Sequence, residues 1–70
     1  MIQITLVEHT LPRNPLGQYK MLALPSKHEF INFTRDGYVW SGRVFSIDHY
    51  LHLKLDPSVT VVVSHVHKVS

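Results

Sequence analysis

This sequence predicts a small all-β domain, and three observations carry the prediction. Two tight-turn signals, Arg35-Asp36-Gly37 and Asp56-Pro57-Ser58, divide the later part of the chain into three consecutive extended segments. Residues 2–9 alternate, with Ile2, Ile4 and Leu6 on one side and Gln3, Thr5 and Val7 on the other. The long segment from Tyr38 to Lys54 changes its hydrophobic phase midway, which a strand does only through a bulge or a sharp bend.

In chain order, residues 2–9 read as a half-buried strand. Thr10 to Gln18 contains Pro12, Asn14, Pro15 and Gly17 and reads as a long loop. Tyr19 to Leu24 reads as a short strand or an irregular segment. One helical turn, with Asn14 as cap and Pro15 at its first position, is the alternative. Glu29 to Arg35 forms the first arm of a hairpin, because Asp36-Gly37 is a favoured pair for a two-residue type I′ turn. That turn sets Arg35 against Tyr38, Phe33 against Trp40 and Ile31 against Gly42.

The second arm is too long for one flat ladder. Its inward set is even-numbered through Trp40, Gly42 and Val44, then odd-numbered through Phe45, Ile47, Leu51 and Leu53. Gly42 is the natural place for the bend. A three-residue loop at Asp56-Pro57-Ser58 then pairs Leu55 with Val59 and matches odd residues with odd. One face carries Phe45, Ile47, His49, Leu51 and Leu53 opposite Val59, Val61, Val63, His65 and His67. Burial favours this register over a one-residue slip, which mixes apolar and polar faces. The expected core is Ile4, Leu6, Ile31, Phe33, Trp40, Val44, Ile47, Leu51, Val61 and Val63.

A long strand bent at glycine and shared between two sheets closes a small barrel. The residues that carry a resemblance are Leu24-Pro25 leading into Phe30-Ile31, the Asp36-Gly37 turn, Gly42-Arg43-Val44 with Ile47-Asp48-His49, and the segment Val59 to Val63. In that order, over about residues 24–66, the chain resembles small uncharacterised bacterial and phage proteins of SH3-like shape. The resemblance implies a five-stranded SH3-like barrel. An OB-like barrel, or an open antiparallel sheet completed by a second subunit, also fits the pattern. The proline-binding aromatic and acidic signature of signalling SH3 domains is missing, so recognition of that kind is not implied.

Length and composition narrow the function classes. Seventy residues make one domain, 1–70. A domain this small has a thin stability margin and is often helped by a disulfide, a metal or a partner. No cysteine is present, which removes disulfides and thiolate zinc sites and fits a reducing compartment. The N-terminus lacks a basic region followed by a long apolar stretch, so a soluble cytoplasmic protein is expected. The apolar run Val61-Val62-Val63 is far short of a membrane span, and no membrane partner is expected. Seven basic against five acidic residues give +2, with the basic ones dispersed rather than gathered into a tract.

Three constellations remain. Val62 and Val66 fall on the nominally polar face beside Tyr50, making a surface for a protein partner or a second copy of the chain, unless the 10–28 loop covers it. Tyr38, Arg43, Tyr50 and Lys54 offer aromatic and basic groups of the kind that small barrels use on nucleic acid. The register above also places His49 opposite His65, with His67 two residues on, and three imidazoles plus a water make an open zinc site. Such a cluster also repels itself once protonated. No nucleophile elbow, glycine-rich phosphate loop or paired-carboxylate spacing is present. The expected function is therefore a binding or assembly module without catalysis.

Overall fold

The computed structural model describes all 70 residues. Five strands form: β1 (Ile2–Glu8), β2 (Asn14–Met21), β3 (Phe30–Arg35), β4 (Tyr38–Tyr50) and β5 (Ser58–Lys68). They make one sheet in the order β2-β1-β5-β4-β3. Every pairing is antiparallel except β1 with β5, which is parallel. The sheet curls into a half-barrel, consistent with the all-β reading and a small five-stranded barrel. No helix is long and apolar enough to cross a membrane.

The β3–β4 hairpin follows its turn chemistry. Asp36 and Gly37 both adopt positive φ, at 54° and 79°, as a type I′ turn requires. Arg35 faces Tyr38, Phe33 faces Trp40 and Ile31 faces Gly42. The Trp40 indole N–H donates to the Arg35 carbonyl at 3.2 Å, tying the turn to the strand.

Two bulges shape the β4–β5 pair, and they compensate each other. Ser41 pairs with His67 and Arg43 with Ser64, so Gly42 alone opposes His65 and Val66. The extra residue lies on β5, where His65 takes a left-handed φ of 53°. Farther along, Val44 pairs with Val63 and Ser46 with Val62, leaving Phe45 as the extra residue on β4. The phase change of β4 therefore falls at Phe45, not at Gly42. Val44 is still fully buried, whereas Phe45 is 43% exposed on the outer face. β5 makes its own phase change at His65, after which Val66 turns toward the core in place of the odd-numbered residues.

The β4–β5 turn corrects the expected three-residue loop. Tyr50 pairs with Ser58, and 51–57 form the connection. Pro57 has no N–H to extend the ladder, which stops at Ser58. His49 consequently faces Val59 rather than His65, a slip of six residues (65 − 59). An even slip keeps odd residues opposite odd ones, so Ile47 meets Val61 where the expected register set it against His67. Leu51, expected in the core, lies outside the strand and is exposed.

The N-terminal half departs further from expectation. The segment assigned to a loop, 10–18, contributes most of β2, and only 9–13 connect it to β1. Pro15 and Gly17 are tolerated because β2 is an edge strand with a bulge. That bulge adds Leu16, which turns inward and joins Ile4, Leu6, Phe33, Val44, Val61 and Val63 in the core. β1 is not an edge, since β2 and β5 flank it.

Candidate functional site

The half-barrel leaves β2 and β3 as its two edges, and they face each other across a seam. The seam is bridged by one side chain. The Tyr19 hydroxyl donates to the Thr34 carbonyl at 2.7 Å, and its ring meets Phe33 edge-on at 6.0 Å between centroids. Thr34 thus spends its carbonyl on a side chain instead of a neighbouring strand. By the two-residue period of a strand, Asn32 turns its backbone to the same side.

An open cleft of about 520 Å³ lies along this seam. That volume falls within the range of about 300–1,000 Å³ common to ligand sites. Ile4 and Leu6 of β1 form its floor, Tyr19 and Met21 one wall, and Ile31 and Phe33 the other. Alternation explains the lining: even positions of β1 and odd positions of β2 and β3 share the concave face. Lys20 is the one charged residue among those that line it. The cleft is therefore an apolar trough between two strand edges that no strand joins. No histidine, aspartate or glutamate is among the residues that line it.

The residues expected to contact protein are not one exposed patch. Val62 is completely buried. Val66 is half-buried against the core, with its Cγ2 3.4 Å from where a Cβ on Gly42 would sit. Tyr50 remains exposed at the end of β4. The covering element over Val62 is the 9–13 segment. His9 donates its backbone N–H to the Val63 carbonyl at 2.7 Å and stacks its ring on Phe45 at 4.0 Å. Arg13 reaches Asp48 at 3.4 Å. Since β5 lies between β1 and β4, a segment that leaves β1 and touches β4 must cross the outer face of β5, where Val62 points.

The histidine triad does not assemble. His49 shares the inward row of β4 with Ile47, whereas the bulge at His65 puts His65 and His67 on the outer row of β5. His67 instead bonds through Nδ1 to the His65 carbonyl at 3.0 Å, and His65 pairs with the Ser64 hydroxyl at 3.1 Å. No group of three potential ligands comes together anywhere in the chain.

The aromatic and basic set is also dispersed. Tyr38 and Tyr50 occupy opposite ends of β4. Lys68 places its ammonium 3.9 Å from the Tyr38 ring centroid, Arg43 contacts His28 at 3.2 Å, and Lys54 lies in the 51–57 loop. The seam itself was missed in the sequence. Its signals were present in the alternation of Tyr19 and Met21 and of Ile31 and Phe33, but nothing local says that these two segments face each other.

No protein-family model, curated protein or solved structure matches this chain.

Proposed function

We propose that this chain is a non-catalytic binding and assembly module that accepts an extended segment of a protein, its own copies included, along the β2–β3 seam. The observation that carries this reading is an apolar trough bounded on both sides by strand edges without partners. Strand addition uses these two features together: main-chain hydrogen bonds supply affinity, and pockets beneath alternate side chains supply selectivity. Unprotected edges otherwise invite indiscriminate pairing; Pro15, the bulge at Leu16 and Lys20 blunt the β2 edge, whereas the β3 residues along the trough include no charge or proline. The absence of cysteine suits such a module to a reducing cytoplasm.

The test is an NMR titration with synthetic peptides, each carrying apolar residues at alternate positions. Peptides that shift the amides of Gln18–Met21 and Phe30–Thr34, and lose this effect in a Met21→Lys variant, support the seam. Shifts confined to Tyr38, Arg43, Tyr50 and Lys54 on adding a single-stranded oligonucleotide, with affinity falling steeply as salt rises, would replace this reading with a nucleic-acid interface.

A further inference from the structure

The 51–57 loop carries an oddity that matches the seam. Its sequence Leu51-His52-Leu53-Lys54-Leu55 alternates apolar and polar residues, the pattern of a strand with one buried face. Yet the segment has no strand partner, and its three leucines are 86%, 99% and 72% exposed. The seam has the reciprocal deficiency, an apolar cleft between two edges that no strand joins. One chain thus displays both an unpaired amphipathic strand and a trough for one.

We infer that residues 51–55 of a second copy occupy the seam, with Leu51, Leu53 and Leu55 packing on the half-buried Tyr19, Met21 and Ile31. This rests on the reading of the seam as a site for extended segments. Five residues span about 17 Å as a strand, enough to run along the four β3 residues, Ile31–Thr34, that line the trough. The incoming backbone N–H groups replace the Tyr19 hydroxyl at the Thr34 carbonyl, and His52 and Lys54 face water. Lys20 on the β2 wall disfavours any register that brings Lys54 beside it. A reciprocal exchange about a two-fold axis fills both troughs and closes the pair. Exchange in one direction only builds chains instead of a closed pair.

The experiment is native mass spectrometry with sedimentation velocity, over a range of protein concentration, on the wild type, Leu53→Asp and Met21→Lys. Leu53 is already in solvent in the single chain, so Leu53→Asp leaves folding intact. Circular dichroism checks Met21→Lys. The wild type should associate, each variant should associate about tenfold or more weakly because a charge enters an apolar contact, and an equimolar mixture of the two should associate again. That recovery follows because one variant keeps the trough and the other keeps the segment. Association that survives Leu53→Asp but is lost in Met21→Lys removes 51–55 as the occupant and leaves the seam standing. Association insensitive to both overturns the occupant and the seam together. A wild type that stays monomeric at several hundred micromolar overturns the second-copy assignment. In that case the peptide titration alone decides the seam.

Discussion

Gly42 shows how one missing atom shapes the strand pair. A Cβ placed there meets the Val63 Cβ at 3.0 Å and the Val63 Cγ2 at 3.2 Å, and Val63 is fully buried. The close approach lets the His65–Val66 bulge fold its Val66 onto β4. We expect Gly42→Ala to lower stability by about 1–3 kcal/mol, since the core has no room to shift, as read from urea unfolding midpoints. Gly37 is glycine for a different reason. Nothing lies within 4 Å of a Cβ there, but φ is +79°. Gly37→Ala should cost about 1–2 kcal/mol from backbone strain alone, and Gly37→Asn less, because asparagine tolerates the left-handed region. Equal costs for the two variants at Gly37 would contradict that explanation.

At the level of elements, β5 is the central strand, paired to β1 on one side and β4 on the other. Its amides at Val61–Val63 should be among the slowest to exchange with deuterium, and the seam-facing amides of β2 and β3 among the fastest in dilute protein. Uniform protection across the sheet would mean that the seam is closed. The 9–13 strap is held by contacts of unequal worth. The Arg13–Asp48 pair is partly exposed, so Arg13→Ala should change stability by about 0–1 kcal/mol. His9→Ala removes a ring stacked at 4.0 Å on Phe45 and should cost about 0.5–1.5 kcal/mol. Thermal melts of both variants in the same buffer make the comparison.

For the whole molecule, stability of about 0.05–0.15 kcal/mol per residue gives 70 residues roughly 3.5–10 kcal/mol in total. Against that, Leu6→Ala at a core position only 1% exposed should cost about 2–5 kcal/mol. We therefore expect Leu6→Ala to lose about half of that margin and to melt well below the wild type by near-ultraviolet circular dichroism. A variant that melts within a few degrees of the wild type would show that the core relaxes around the loss. With no disulfide to constrain the unfolded chain, the core carries this load.

The sequence by itself determined the all-β class, the β3–β4 hairpin with its register, and most of the core. Each of these follows from alternation and from a turn whose two residues dictate the pairing of their immediate neighbours. It placed Ile31, Phe33 and Trp40 correctly because Asp36-Gly37 admits few arrangements. Only the tertiary structure decided the parallel pairing of β1 with β5, the six-residue slip between β4 and β5, the strap that buries Val62, and the seam. Alternation is blind to an even slip, since any such register buries the same face. Strands separated by fifty residues have no turn to choose among registers. There the choice falls to burial summed over the whole sheet, which brought Tyr19 to Thr34 and left the leucines of the 51–57 loop in water.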